Sequence, residues 1–251
     1  MKRKFSQFGY DARSELTSAT LGNAAYAYGF DEAGNRNSAT EAGTQLAYTT
    51  NALNQYASVS EGETSFVPEY DLDGNATRLR TSTGTWSVEY NAHNRPVAWR
   101  KTTGEVVYMI YDAQGRRAEK RVLNASGKRT LRERYVYVGY TCVQVLNGDK
   151  NNALVKEFAW DPTEPEATRP LTFRHAEKGL MLFYAFDGNK NVSDVFFLAL
   201  QNGIGAHYEY APFGAIVRTA KGTSSKVDLI GANPWRFSSE FYDSELDLVY
   251  Y

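Results

Sequence analysis

Cysteine is almost absent from these 251 residues: Cys142 stands alone, which excludes an intrachain disulfide framework and a multi-cysteine zinc site. Histidine is scarce as well. His93, His175 and His207 are too scattered for a local ligand motif, and no HExxH pattern occurs, so no metal and no cofactor is expected. Neither sign of charge prevails, since 28 Lys and Arg face 29 Asp and Glu. The resulting net charge of −1 supplies no long-range field for nucleic acid or anionic lipid, and neither is expected as a partner. No apolar run approaches membrane-spanning length. The basic start is followed by Phe5, Ser6, Gln7, Phe8 and Gly9, not by the apolar run of a secretory signal. A GxSxG elbow and a GxxxxGK loop are both missing, and Gly203 with Gly205 reads as a hairpin turn, so no enzyme is expected. Cys142, among Tyr140, Val143 and Val145, reads as a buried, inert thiol on a strand.

What is abundant is aromatic rings and turn formers: 18 Tyr, 13 Phe and 20 Gly, a mixture that favours strands and tight turns. The rings recur with a period. Tyr10-Asp11, Phe30-Asp31, Thr50-Asn51, Tyr70-Asp71, Tyr90-Asn91 and Tyr111-Asp112 follow one another at steps of 20, 20, 20, 20 and 21 residues. Each is followed by a short polar connector, as in DEAGNR at 31–36, DLDGNA at 71–76 and DAQGRR at 112–117. An Asx side chain at the first position accepts from an amide two residues on, and Gly or Asn three residues later takes a positive φ at little cost. Asp11, Asp31, Asp71 and Asp112, with Gly34, Gly74 and Gly115, are therefore predicted to be turn residues and not acids or bases; Asn94 takes the glycine slot in its own repeat.

Between the turns, aromatic and polar residues alternate, as in Tyr26, Tyr28, Phe30 and in Tyr135, Tyr137, the period of half-buried strands. A unit of this length holds two strands of roughly seven residues and two turns. An isolated hairpin cannot bury its aromatic face, so each must pair with the next. The expected fold is all-β: antiparallel hairpin repeats of about 20 residues forming a spiralling sheet or partial hollow shell. Residues 1–134 carry the repeats and 135–251 a looser continuation, together one continuous β structure. The stretch 161–170, with Pro162, Pro165 and Pro170, reads as an insertion between the strand-like Val155–Trp160 and Leu171–His175. The array starts inside a hairpin, at the strand-like Lys4–Tyr10, so unpaired sheet edges and self-association through them are expected.

The C-terminal third carries three ordered motifs: FDGNKNV at 186–192, HYEYAPFGAIV at 207–217 and NPWRFSSEFYDSELDLVYY at 233–251. Behind the Tyr-Asp repeats, they resemble the YD repeats and associated core segment of RHS proteins. The matching positions singled out are Asp187, Gly188, Asn191, Pro212, Phe213, Gly214, Asn233, Pro234, Arg236, Phe237, Tyr242 and Asp243. The resemblance implies a β shell like those of bacterial polymorphic toxins, insecticidal toxin complexes and teneurins, secreted or at the cell surface, holding or presenting a C-terminal effector. Its partners would be neighbouring repeats of the parent chain or the encapsulated C-terminal segment. In the toxin members an Asp-Pro-containing self-cleavage site follows the core; that motif is not found here.

Read from the residues alone, Pro212 and Gly214 make YAPFG a turn that leaves Phe213 to pack elsewhere. Arg236 has two structural options, stacking on a ring or pairing with Glu240. Asp243 and Asp247 read as Asx-turn or strand-end caps, with a part in self-processing as the alternative. A competing function is a glycan- or cell-wall-binding repeat module, since aligned aromatics offer sugar-stacking platforms. It requires evenly spaced exposed rings, and Trp86, Trp99, Trp160 and Trp235 share no repeat position.

Overall fold

The computed structural model describes residues 6–164, 169–197, 203–222 and 228–251, so Pro165 of the proline-rich stretch lies outside the described residues. The chain divides into two compact units, Met1–Arg80 and Thr81–Tyr251, and its regular structure is nearly all β, with 59% of residues in strands and 4% in helix. Along the first unit run β1 (Ser6–Tyr10), β2 (Leu16–Leu21), β3 (Ala24–Phe30), β4 (Arg36–Glu41), β5 (Thr44–Thr50), β6 (Tyr56–Glu61), β7 (Thr64–Phe66), β8 (Glu69–Tyr70) and β9 (Ala76–Thr81). The second begins with β10 (Gly84–Tyr90), β11 (Pro96–Lys101), β12 (Val106–Tyr111), β13 (Arg117–Leu123), β14 (Arg129–Val138) and β15 (Thr141–Asn147). It continues with β16 (Ala153–Trp160), β17 (Pro170–His175), β18 (Leu180–Phe186), β19 (Val192–Phe196), β20 (Ile204–Tyr210) and β21 (Ile216–Lys221). A short helix α1 (Leu229–Ala232) and a small hairpin of β22 (Phe241–Asp243) and β23 (Leu248–Tyr250) follow. No helix among the described residues is long and apolar enough to cross a membrane.

Sheet order follows sequence order throughout: β1 to β7 in the first unit, β10 to β21 in the second. Every recorded pair is antiparallel, as hairpins joined by short turns require. In the first unit large rings sit opposite small residues. Ala19 pairs with Tyr26 and Tyr28 with Ala39, all four buried, so each ring lies over a neighbour too small to displace it. Arg36 closes the row, its guanidinium 4.8 Å from the centre of the Tyr28 ring.

In the second unit the alternation separates two chemistries. One face carries Trp86, Val88, Trp99, Val107, Met109, Tyr135, Val145, Phe158, Phe173, Leu182, Tyr184, Val195 and Tyr208, all buried. The opposite face carries ion pairs: Arg100 with Glu89, Arg174 with Glu157, Arg218 with Glu209. Antiparallel sheets commonly cover one face and leave the other to water. Over β14 to β20 the cover of the apolar face is the C-terminal segment, whose Leu229, Trp235 and Phe241 share one core with Tyr135, Phe158, Phe173 and Tyr208.

Candidate functional site

The periodic Asp and Asn residues form one repeated turn. The Oδ1 of Asp31 accepts from the backbone N–H of Ala33 and Asn35 at 2.9 and 2.8 Å, and that of Asp71 accepts from Asp73 and Asn75 at 3.0 and 2.9 Å. Asp11, Asn51, Asn91, Asp112, Asn124 and Asp187 bind the same two amides in their own turns. In each of the six YD-type units the strand register slips by one at the preceding residue, from Gly9/Tyr10 to Ile110/Tyr111, giving a bulge. The Asn35 amide holds the Asp31 carboxyl below its usual range, and Asn75 does the same for Asp71. These carboxylates are therefore ionised acceptors tied to their own loops.

The glycine slot answers a second demand besides its positive φ. A Cβ on Gly115 would collide with the guanidinium of Arg95, which belongs to the preceding turn. At Gly34 it would lie 3.2 Å from Glu15 and at Gly74 3.5 Å from Gln55, again residues of the preceding turn. Consecutive turns thus stack, and the tyrosines tie them together. The hydroxyl of Tyr111 donates to the carbonyl of Pro96 at 3.0 Å, Tyr70 to Tyr56 at 3.2 Å, Tyr137 to Arg117 at 3.0 Å and Tyr210 to Val192 at 2.8 Å. Each acceptor is the fifth residue after the Asx of an earlier turn, so Tyr70 and Tyr111 of the Tyr-Asp pairs, and Tyr137 and Tyr210 outside them, are struts between hairpins.

The YAPFG turn is the same device without its carboxylate. Ala211 takes the Asx position, with Gly214 donating to its carbonyl at 3.0 Å and Ala211 donating to Ala215 at 2.7 Å. Gly214 has φ +94°, and a Cβ there would meet the Phe237 ring at 2.7 Å; Phe213 is 49% exposed beside Pro212. Gly188 departs from the glycine pattern. Its turn places the positive φ on Lys190, at 62°, and leaves Gly188 with open space around its Cβ position.

From α1 onward the chain runs back across the apolar face like a strap, from β20 toward β10. Tyr208 donates to the Ile230 carbonyl at 3.0 Å. Val192 at the start of β19 donates to the Arg236 carbonyl at 2.9 Å, and Asn191, itself bound to Asp187, accepts from the Ser238 amide at 2.7 Å. Trp235 stands edge-on to Phe158 of β16 and to Trp160, centroids 5.3 and 4.6 Å apart, and Phe241 edge-on to Tyr135 of β14 at 5.5 Å. Asp247, near the far end, accepts from Ser82 just before β10. The three sequence motifs are thereby brought together: 186–192 and 207–217 shape the sheet on which 233–251 lies.

Each strap residue has a defined task. Asn233, 1% exposed, accepts from Tyr184 at 2.9 Å and donates to the Trp235 carbonyl at 2.7 Å. Pro234 offers its carbonyl to Tyr242 N–H at 2.7 Å. Of the two options for Arg236, stacking is the one taken: its guanidinium lies 3.9 Å from the Tyr242 ring centre and donates to the Ile230 carbonyl at 2.8 Å. Ser238 and Ser239 both have positive φ, 54° and 59°, a strain held in place by Asn191 and by the Lys190 carbonyl.

Asp243 departs most from its expected role. Its backbone carbonyl accepts from Leu246, but the carboxylate turns away from that loop into the sheet. It receives Arg117 at 2.5 Å and Lys120 at 3.1 Å, both from β13. Lys120 also reaches Glu245 at 2.9 Å, and Glu133 faces Lys120 and Lys156 at 3.9 and 3.5 Å. Arg117, Lys120, Glu133 and Asp243 are all buried. Arg117 is further enclosed by Tyr250, Phe241 and Tyr135, whose ring centres lie 4.4, 4.7 and 4.9 Å away. Burial alone would raise the Asp243 carboxyl, but Arg117 and Lys120 outweigh it and hold the group below the usual range. Burial likewise opposes the charge on Lys120, which Asp243, Glu245 and Glu133 more than restore, so its ammonium is held above the ordinary value. Three acids and three bases balance, leaving an ionised clip that fastens the strap to β13.

The sequence reading missed Arg117, Lys120 and Glu133. The usable signal was β13 itself, RAEKRVL, in which charged residues occupy both faces of a strand that should have one apolar face. Among the histidines, His207 lies between Asp194 and Glu209, at 2.7 and 3.3 Å, on the ion-paired face. Cys142 is buried, its thiol pushed up to about 12 by that burial.

No family model matches this chain, and no curated protein matches it. Solved structures do. The chain aligns over 99% of its length with a chain of the Photorhabdus luminescens Tc holotoxin pore carrying a mutant TccC3, at 12% identity and a TM-score of 0.59. Two further matches are a TcdB2-TccC3 complex (15% identity, 82% of this chain and 14% of that one, TM-score 0.37) and the same complex without its hypervariable C-terminal region (12%, 100% and 18%, TM-score 0.36). The chain spans 15% of the length of the Tc holotoxin chain it matches, and the likeness is one of fold.

Proposed function

We propose that this chain is a wall segment of an RHS-type β shell, belonging to a secreted or cell-surface protein that encloses or presents a C-terminal effector. The observation that carries this reading is the strap: a sheet grown by adding hairpins has its apolar face covered by its own C-terminal segment, clipped by buried charge. A module that offered its aromatics to sugars would leave them uncovered, whereas these rings are spent on packing and on struts. The shared fold with the Tc holotoxin chain supports the shell reading, and the ordered YD and core motifs support membership of the RHS family. In this reading the chain is not a catalyst; its recurrent carboxylates hold turns and Asp243 holds the strap.

Electron microscopy of the parent protein tests the proposal. A hollow or open curved sheet is the expected image, and a compact sandwich with a dense core refutes it. Intact mass after long incubation without added protease tests the non-catalytic part. An unchanged mass is expected; fragments that vanish in Asp243→Asn or Asp247→Asn would overturn it.

A further inference from the structure

On the ion-paired face of the second unit, three guanidiniums converge on one carboxylate. Glu119 of β13, although on the wet face, is 5% exposed because Arg121, Arg132 and Arg134 cover it. Arg132 spends its donors on both Glu119 oxygens, at 3.0 and 3.1 Å, and on the Gly148 carbonyl. Arg134 gives one donor to Glu119 at 2.7 Å and one to Asn152 at 3.1 Å. Arg121 gives only its Nε. Both terminal nitrogens of Arg121 and Nη2 of Arg134 have no partner among the described residues.

The register makes this arrangement costly. Arg121 stands directly opposite Arg132 across the β13–β14 pair, a like-charge juxtaposition that disfavours pairing. One carboxylate among three arginines leaves a surplus of two positive charges, and two neighbouring acids, Asp149 and Glu89, are already engaged by Arg129 at 2.6 Å and Arg100 at 2.8 Å. Burial alone would raise the Glu119 carboxyl, yet hydrogen bonds from Arg132, Arg134 and Arg121 hold it at about 2, so it remains the fixed anion that gathers the forks. Like charges set opposite one another, with guanidinium donors left over once Glu119 is satisfied, are the kind of local departure expected at a functional site.

We propose that Arg121 and Arg134 form an oxyanion site that takes a phosphate-type dianion, its two charges matching the two in surplus. Planar guanidinium forks suit the paired oxygens of phosphate, and Glu119 has already met the entropic cost of assembling them. The cavity of about 910 Å³ beside Arg121, lined also by Tyr108, Ile110 and His93, leaves room for whatever bears the phosphate; its two carboxylates, Glu89 and Asp112, are neutralised by Arg100 and Arg116. The net charge of −1 gives no field to draw such a ligand from afar; recognition here is local.

Titration calorimetry with inorganic phosphate, and flotation with phosphatidylcholine vesicles with or without phosphatidic acid, test the site on the intact protein. Saturable binding in at least one arm is expected, weakening with added chloride. Binding falls about tenfold for each fork lost in Arg121→Gln and Arg134→Gln, and is unchanged in Arg174→Gln, whose partner Glu157 sits on the same face. Phosphate binding without vesicle binding assigns a soluble ligand; vesicle binding that needs phosphatidic acid assigns a headgroup. Should either glutamine variant fail to fold, Arg121→Lys keeps the charge while removing the fork and is expected to bind more weakly. No saturable binding in either arm, or equal binding by wild type and the Arg121 variants, overturns the proposal.

Discussion

Replacing Asp243 by Asn removes one charge from a cluster that otherwise balances. Its carboxylate is 2% exposed and is the principal anion for Arg117, while Lys120 keeps Glu245 at 2.9 Å and Glu133 at 3.9 Å. Breaking a buried pair from one side costs about 3–5 kcal/mol, because the surviving charge stays desolvated. The asparagine oxygen still accepts one hydrogen bond, so Asp243→Asn falls near the lower end, about 3 kcal/mol, and Asp243→Ala near the upper. The loss acts first on the strap. Hydrogen exchange at Tyr242 and Leu246, whose amides are bonded within the strap, is expected to accelerate roughly a hundredfold, while amides in β17–β19 change little. Urea unfolding followed by tryptophan fluorescence gives the size, since Trp235 reports on the strap. A loss under about 1 kcal/mol, or acceleration spread evenly over the sheet, refutes the clip. The pH dependence carries a fixed sign. Asp243 is held below its unfolded value of 3.8, so its contribution is present above that pH and is lost as pH falls through the folded value. Lys120 is held above 10.5, so its contribution is present below 10.5 and is lost as pH rises beyond the folded value. The clip therefore works across the whole neutral range and loosens only at the two extremes.

The turn chemistry yields a graded set of substitutions. Gly115→Ala meets both a φ of +79° and the Arg95 guanidinium and costs more than the 1–2 kcal/mol of backbone strain alone, while Gly127→Ala, φ +77° in open space, costs only about that; thermal melts rank the two. Gly188→Ala, with ordinary φ and open space, leaves the melting temperature unchanged or slightly raised. Tyr111→Phe and Tyr210→Phe each strip a backbone carbonyl of its donor and lower stability by about 1 kcal/mol by urea titration; no change in either would dismiss the strut. Cys142, held near 12, stays unalkylated by iodoacetamide at neutral pH in the folded protein and reacts after denaturation, read as a mass increment.

What the sequence disclosed was its local chemistry. The turn residues were legible because each needs only neighbours up to four positions away: Asp31 binds Ala33 and Asn35, and no tertiary partner is required to see it. The antiparallel, sequence-ordered sheet followed, since short turns between strands leave little else to build. The stacking of turns was not legible. That Gly115 must be bare because Arg95 fills the space above it depends on the geometry between repeats, and the sequence supplies only the period. Asp243 was read by the same local logic as an Asx cap, and there the logic failed, because its partners Arg117 and Lys120 lie 126 and 123 residues away.

Those two kinds of carboxylate explain how one residue type serves two levels of the fold. The half-buried turn aspartates work through hydrogen bonds to their own loop, and at Ala211 the same turn is held by backbone bonds alone. Asp243 has no such substitute, for a strap crossing a sheet makes few regular backbone bonds and its position must be fixed by side chains. Apolar packing at Trp235 and Phe241 supplies adhesion but tolerates sliding, whereas a buried charge has one place of low energy. The strap is therefore held by rings and placed by ions. Removal of the rings should detach it, and removal of Asp243 should leave it attached but out of register, with Trp235 still shielded from an aqueous quencher while Ser82 loses Asp247.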